Sequence, residues 1–190
     1  GGFEEPVCRR LFWQMLSGMT YIHQKGLVNR DLKLENMLIG DDYTIKIADF
    51  GYAIDIEGRE SDGKMTTVRG TQDYFAPEII EQREYYHGEK VDIFALGVTL
   101  FTMRSVRYPF RRNDSRGEYW KLLEEFIVDK TKYWSDLASL SFSEELKSLL
   151  NAMMNYDPAL RPSAADILTH PWMMGQMASQ EQTAQELMTR

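Results

Sequence analysis

The sequence predicts a mainly α-helical fold that contains one short β-hairpin. Two patterns predict helices: apolar residues recur at helical spacing between Val7 and Ile22, and residues 89–104 are apolar on nearly every face. A third pattern predicts the hairpin, because Gly40-Asp41-Asp42 is a turn signal that separates a short apolar segment from an alternating one. We therefore expect a helical core that carries a single hairpin.

The first helix and the hairpin have clear ends in the sequence. Glu4-Glu5-Pro6 places acidic residues and a proline in a first helical turn, and Gly26 ends the helical pattern. The hairpin strands are predicted at Met37-Leu38-Ile39 and at residues 43–48, where apolar residues alternate. Such a hairpin would bring the residue that precedes it close to the residue that follows it.

Two helices are predicted in the middle of the chain. Residues 89–104 form a helix that is apolar all round, which is typical of a helix buried on every side. Residues 114–128 have the apolar spacing of an amphipathic helix.

Polar caps indicate where the later helices begin. Ser141 or Ser143 is expected to cap one helix. Ser163 and Asp166 have the spacing of a capping box, for a helix that is expected to end at His170-Pro171-Trp172.

Four polar residues around the predicted hairpin have the chemistry of phosphoryl transfer, which requires alignment of donor and acceptor and neutralisation of phosphate charge. Asp31 can accept a hydrogen bond from an attacking hydroxyl, and Lys33 can reach the same phosphoryl group. Asn36 and Asp49 offer a neutral and a charged oxygen, which suits Mg²⁺. Either motif alone is usually a solvated loop or a turn, so the inference depends on their occurring together.

The full set of motifs resembles eukaryotic protein kinases over roughly residues 1–173. The resemblance rests on a catalytic loop, the metal-binding start of an activation segment, the end of that activation segment, a central-helix motif and an Arg-Pro segment. In chain order these are residues 28–36 (Val-Asn-Arg-Asp-Leu-Lys-Leu-Glu-Asn), Asp49-Phe50-Gly51, Ala76-Pro77-Glu78, residues 92–97 (Asp-Ile-Phe-Ala-Leu-Gly) and residues 157–162 (Asp-Pro-Ala-Leu-Arg-Pro). The resemblance implies a kinase-like, mainly helical carboxy-terminal lobe.

The resemblance also implies a role for each matching residue. The cofactors would be ATP and Mg²⁺ or Mn²⁺. The implied roles are catalysis by Asp31 and Lys33, nucleotide binding by Lys33, Glu35, Asn36, Leu38 and Asp49, metal binding by Asn36 and Asp49, regulation through Arg30 and Thr67, and substrate positioning by Thr71, whose hydroxyl would bridge Asp31 and Lys33.

The acceptor class follows from the same resemblance. Lys33 stands where kinases acting on serine and threonine carry lysine, and Gly70-Thr71 resembles the serine/threonine type. The implied partners are protein substrates with serine or threonine acceptors and an upstream kinase that phosphorylates Thr67. Residues 168–173 resemble the calcium/calmodulin-dependent and AMP-activated branches, although comparable endings occur in other branches.

Three positions depart from the family pattern, and the mildest is Phe94, which stands where the central helix of the family has tryptophan. Asn29 stands where the family usually has a histidine that helps to hold the Asp-Phe-Gly segment, and Ile54 stands where many relatives supply a second basic residue near the regulatory threonine. Glu78 and Arg161 match the family, which implies a buried ion pair between them.

Composition limits the range of partners. The chain has 190 residues and a net charge of −7, which argues against nonspecific binding to nucleic acid or to an anionic membrane. A single cysteine cannot form an internal disulfide, so the cytoplasm is the expected location, with the nucleus as the alternative.

The amino-terminal lobe of a kinase is not recognisable in the sequence. No glycine-rich loop and no Val-Ala-x-Lys segment precedes Asp31. Residues 1–174 are therefore interpreted as a carboxy-terminal lobe that acts when joined to its amino-terminal lobe, and residues 175–190 as a polar tail that is a frayed helix or disordered. The isolated chain is expected to be inactive. The alternative function is a pseudokinase-like scaffold, which would have no physical need for a magnesium site.

Overall fold

The computed structural model describes residues 1–58, 62–110 and 116–189, and only the backbone of residues 116–120. It confirms the mainly helical fold with a short hairpin. Its α-helices are α1 Glu5–Gln24, α2 Pro77–Ile80, α3 Gly88–Ser105, α4 Arg116–Val128, α5 Lys130–Asp136, α6 Glu144–Met153, α7 Ala164–Ile167 and α8 Gln180–Met188. Short 3₁₀ turns lie at Leu34–Asn36, Gln72–Tyr74, Ala138–Leu140, Pro158–Leu160 and Pro171–Met174.

Within the parts of the chain that the structure describes, the strands form two small antiparallel pairs. The predicted hairpin is confirmed as β2 Met37–Ile39 paired with β3 Ile45–Ile47. A second pair, β1 Leu27–Val28 with β4 Ile54–Asp55, lies on either side of this hairpin in the sequence. These two-residue strands are too short to give a periodic pattern, so the sequence does not predict them.

Helix α1 begins in the acidic, proline-containing turn that the sequence predicts, and Gly26 follows its end. Gly26 has φ +74°, a conformation that glycine adopts without steric cost. The apolar face of α1 is buried in the core, and its members include Cys8, Phe12, Leu16 and Met19, all 0% exposed. Each such side chain contributes on the order of 2 kcal/mol by leaving water.

Helix α3 is buried on all sides, as predicted, and forms the centre of the core. It packs against α1 and α6. A Cβ atom at Gly97 would lie 2.7 Å from Cγ of Met154, so the absence of a side chain at Gly97 permits the close approach of the segment that follows α6. The buried helix predicted at residues 89–104 is therefore confirmed.

The later helix starts are confirmed, but one helix end was predicted wrongly. Ser143, rather than Ser141, caps α6 by accepting a hydrogen bond from the Leu146 amide, and the capping box of α7 is present. Helix α7 ends at Ile167 instead of continuing to residues 170–172. The amides of Thr169 and His170 donate to the carbonyls three residues earlier, which tightens the chain into a turn. Pro171 then has no amide hydrogen with which to continue a helix.

The tail contains α8, which begins with a capping box of its own. Thr183 in this helix is 1% exposed, and α8 contacts α1. The Ala178 amide donates to the Pro6 carbonyl (3.0 Å), and the Gln180 side chain donates to the Asp42 carbonyl (3.0 Å) in the hairpin turn. The sequence predicts a frayed helix or a disordered tail. It does not predict these contacts, because polar groups make them.

No helix among the described residues has the length and apolar character that a membrane crossing requires.

Candidate active site

A buried carboxylate on α3 fixes the loop that carries Asp31. Asp92 is 0% exposed, and it accepts hydrogen bonds from the backbone amides of Asn29 (2.9 Å) and Arg30 (2.8 Å). Nε2 of His23, in the last turn of α1, lies 3.0 Å from the same carboxylate. Arg30 has φ +68°, which costs a non-glycine residue about 1 kcal/mol or more, so these bonds stabilise a strained loop.

Asp31, Lys33 and Thr71 form a closed set of contacts. Nζ of Lys33 lies 3.0 Å from Oδ2 of Asp31 and 2.8 Å from Oγ1 of Thr71. The Thr71 hydroxyl donates to Oδ1 of Asp31 (2.8 Å). The hydrogen bond to Asp31 is the main reason that the pKa of Lys33 is raised, so Lys33 is a cation at neutral pH. The structure thus joins a residue of the activation segment to the two residues predicted as catalytic.

Gly70 makes this approach possible. Its φ is +108°, and a Cβ atom there would lie 2.4 Å from the Arg30 carbonyl oxygen and 3.4 Å from Oδ1 of Asp31. Any other residue would push the activation segment away from Asp31.

Asn29 connects Asp31 to the Asp-Phe-Gly segment. Its side-chain nitrogen donates to the carbonyl of Asp49 (3.2 Å), and its side-chain oxygen accepts from the amide of Asp31 (3.0 Å). The side chain is 0% exposed. An amide has both a donor and an acceptor, so Asn29 holds both segments at the position where the family usually has histidine.

Asn36 and Asp49 lie at the two ends of the hairpin. The Ala48 amide donates to the Asn36 carbonyl (2.8 Å), which places residue 49 next to residue 36. The Asn36 side-chain nitrogen donates to the Asp31 carbonyl (3.0 Å), so its oxygen is the atom that can bind a cation. Oδ1 of Asp49 accepts from the Gly51 amide (3.0 Å).

This donor set fits magnesium. Mg²⁺ in phosphoryl-transfer sites takes one or two carboxylate or carbonyl oxygens from the protein and completes its coordination with phosphates and water. Asn36 and Asp49 offer such oxygens. Within the described ranges, no group of three or more His, Cys, Asp or Glu residues could hold a metal ion.

Leu38 and Glu35, like Asp49, are exposed candidate residues. Leu38 on β2 is 54% exposed. Ile39, the next residue (49%), and Phe50, which follows the hairpin (47%), also leave large apolar surfaces in solvent. Glu35 lies on the protein surface, where Oε2 accepts a hydrogen bond from the hydroxyl of Tyr74 (3.3 Å). Burial raises the pKa of Tyr74, which keeps that hydroxyl protonated.

Arg30 extends from the catalytic loop to the activation segment. Its Nε donates to the Tyr52 carbonyl (2.8 Å), and its NH1 lies 3.5 Å from the Thr67 carbonyl. A cavity of about 450 Å³ opens beside them, and Ile54 and Lys64 also line it. The two predicted regulatory residues are therefore neighbours. Lys64 lies beside the same cavity, with its Nζ 3.3 Å from the carboxylate of Asp62.

Three residues around this site are not predicted by the sequence: His23, Asp92 and Tyr86, whose hydroxyl contacts Arg30 and the Thr67 carbonyl. Asp92 belongs to a motif quoted for the family resemblance, but its hydrogen bonds join positions 62 and 63 residues apart. No local pattern predicts such pairs.

Glu78 and Arg161 form the ion pair that the sequence predicted. NH1 and NH2 of Arg161 donate to the two carboxylate oxygens of Glu78 (2.7 and 2.8 Å), and the side chains are 0% and 1% exposed. Arg161 also donates to the carbonyls of Asn155 and Lys90. The pair ties the end of the activation segment to the helices behind it.

The protein kinase domain family model matches residues 1–173 of this chain. The chain therefore belongs to the protein kinase family.

Individual relatives agree with this assignment. CBL-interacting protein kinase 26 of Oryza sativa subsp. japonica is 38% identical over 172 residues, which cover 90% of this chain and 33% of that protein. Sperm motility kinase 2B of Mus musculus is 35% identical over 173 residues (91% and 33%). Serine/threonine-protein kinase par-4 of Caenorhabditis briggsae is 34% identical over 163 residues (85% and 24%). The chain thus spans a third or less of the length of these relatives.

Proposed function

We propose that this chain is the catalytic half of an ATP-dependent protein kinase that phosphorylates serine and threonine hydroxyls. The observation that carries the proposal is the closed contact of Asp31 with Lys33 and Thr71. Asp31 accepts the hydrogen bond of the attacking hydroxyl, Lys33 neutralises charge on the transferred phosphoryl group, and Thr71 keeps both in position. The hydroxyl oxygen bonds to the γ-phosphorus as the bond to ADP breaks, and Asp31 accepts the hydroxyl proton.

We further propose that Asn36 and Asp49 hold Mg²⁺ or Mn²⁺, and that Lys33, Glu35 and Leu38 complete this half of the nucleotide site. A bound metal ion would neutralise the phosphate oxygens of ATP. Leu38 supplies an apolar floor for the adenine. A scaffold without catalysis has no need for this set of oxygens, so we favour the enzyme over the pseudokinase-like alternative.

The partners follow from exposed surface and from chemistry. Leu38, Ile39 and Phe50 would be covered by an amino-terminal lobe, which we propose as the partner that completes the ATP site. Protein substrates would present serine or threonine. We propose the cytoplasm or nucleus as the location, and the calcium/calmodulin-dependent or AMP-activated type as the branch of the family.

Replacing Asp49 by alanine is expected to abolish metal-dependent nucleotide binding, because it removes the charged oxygen of the metal site. ATP affinity is measured against Mg²⁺ concentration, with this chain joined to an amino-terminal lobe. Asp41→Ala is the control, since it removes the same charge from the exposed hairpin turn. Equal metal responses in the wild type and Asp49→Ala would place the metal elsewhere.

Phosphorylation of Thr67 is expected to raise activity. The phosphate would bring about −1.5 to −2 charges next to Arg30, and a charge-assisted hydrogen bond of about 1.5 kcal/mol corresponds to roughly a tenfold effect. Mass spectrometry of active protein should find this modification, and Thr67→Ala should lower activity more than Thr66→Ala. Fully active protein with both threonines unmodified would contradict the proposal.

A further inference from the structure

Tyr86 contacts the activation segment through its side chain. This residue lies two positions before α3, and it is 5% exposed. Its hydroxyl donates a hydrogen bond to the carbonyl of Thr67 (2.7 Å). NH1 of Arg30 donates to the Tyr86 hydroxyl (3.3 Å) and lies 3.5 Å from the same carbonyl. The three groups therefore form one small cluster between the catalytic loop and the activation segment.

Tyr86 also holds the same segment through its backbone. Its amide donates to the Met65 carbonyl, and the Met65 amide donates to the Tyr86 carbonyl, both at 2.9 Å. This antiparallel bridge lies two residues before Thr67. The segment is thus fixed at two successive points, and at the Thr67 carbonyl the shorter of the two hydrogen bonds comes from the Tyr86 hydroxyl.

None of these contacts uses the side chain of Thr67. The acceptor is the Thr67 backbone carbonyl, and the donors are the hydroxyl of Tyr86 and the guanidinium of Arg30. They can therefore form whether or not Thr67 carries a phosphate. The position of Ile54, which lines the neighbouring cavity, supplies no cation for such a phosphate.

We propose that Tyr86 is a positioning residue that holds the activation segment against Arg30 independently of the side chain of Thr67. The hold is transmitted along the segment to Gly70 and Thr71, which contact Asp31. Phosphorylation of Thr67 then strengthens an arrangement that Tyr86 already favours. The catalytic consequence of Tyr86 rests on the proposed kinase function. The contact between Tyr86 and the Thr67 carbonyl does not depend on that function.

Hydrogen exchange in the 190-residue chain tests the contact without any need for activity. Tyr86→Phe removes the hydroxyl and keeps the buried ring. We expect the Met65 amide to exchange roughly three- to tenfold faster in this variant, the effect of losing one hydrogen bond of ordinary strength. The amides of Phe94 and Leu96, deep in α3, should exchange at unchanged rates.

Tyr85→Phe is the matched control. It makes the same substitution at the adjacent residue, which is 42% exposed. The centroid of the Tyr85 ring lies 4.8 Å from Nζ of Lys64. This variant should leave the Met65 amide unchanged. An unchanged Met65 rate in Tyr86→Phe, an equal acceleration in Tyr85→Phe, or an equal acceleration in α3 would each overturn the proposal.

The catalytic consequence is measured with an amino-terminal lobe joined to the chain. Tyr86→Phe should lower kcat of protein unmodified at Thr67, leave KM for ATP unchanged, and lose most of its defect once Thr67 is phosphorylated. A defect of the same size in both forms would overturn the proposal. A wild-type protein without activity would instead refute the proposed function, and the exchange experiment would still decide whether Tyr86 holds the segment.

Discussion

Replacing Asp31 by asparagine is expected to lower turnover by about 10²- to 10⁴-fold, the usual range for loss of a general base. The carboxylate faces Nζ of Lys33 with one oxygen and the Thr71 hydroxyl with the other. Asparagine has nearly the same shape, but it carries no charge, and only one of its two terminal side-chain atoms can accept a hydrogen bond. The substituted residue therefore orients the acceptor hydroxyl poorly.

Nucleotide affinity should change little in Asp31→Asn, because Asn36 and Asp49 are untouched. Phosphate incorporation and ATP affinity are measured side by side, with this chain joined to an amino-terminal lobe. A loss in kcat with nearly constant affinity indicates an interaction that matters mainly in the transition state. Asp55→Asn, on the exposed face of β4, is the control for loss of a surface carboxylate. Unchanged turnover in Asp31→Asn would remove Asp31 from the proposed mechanism.

The sequence predicts those features of the site that depend on local patterns. The hairpin has a turn signal and alternating strands, so its presence between Asn36 and Asp49 can be inferred from the residues alone. The helical periodicity of α1 and α3 is long and regular, which makes the type of element clear. Motif order then indicates the class of chemistry.

The sequence does not predict contacts that join distant parts of the chain. The hydrogen bonds from Asp92 to the catalytic loop and from Tyr86 to Thr67 depend on tertiary packing. Asn29 shows the same limit, since its side-chain bonds to Asp31 and Asp49 become visible only when both segments are in place. Composition similarly suggested a loose tail, although the backbone of Pro6 and the side-chain packing of Thr183 hold it to the domain.

The largest loss of stability is expected from breaking the Glu78–Arg161 ion pair. Glu78→Gln leaves the Arg161 guanidinium buried without its carboxylate, and stranding one partner of a buried pair costs about 3–5 kcal/mol. Small domains have free energies of unfolding of about 5–15 kcal/mol, so this change would remove a large part of the total. The measurement is urea unfolding of the 190-residue chain, in which the midpoint should fall while the denaturant slope stays constant.

Two comparisons separate the buried charge from other effects. Glu144→Gln is the matched control, because Glu144 and Lys147 also lie 2.7 Å apart but Glu144 is 84% exposed, and exposed pairs contribute at most about 1 kcal/mol. Replacing both partners, as Glu78→Leu with Arg161→Met, should recover part of the loss. No charge then remains buried alone, but the carbonyls of Asn155 and Lys90 lose their Arg161 donor. If Glu78→Gln costs no more than Glu144→Gln, the pair does not stabilise the fold, and the end of the activation segment must be held by the apolar contacts of α2 instead.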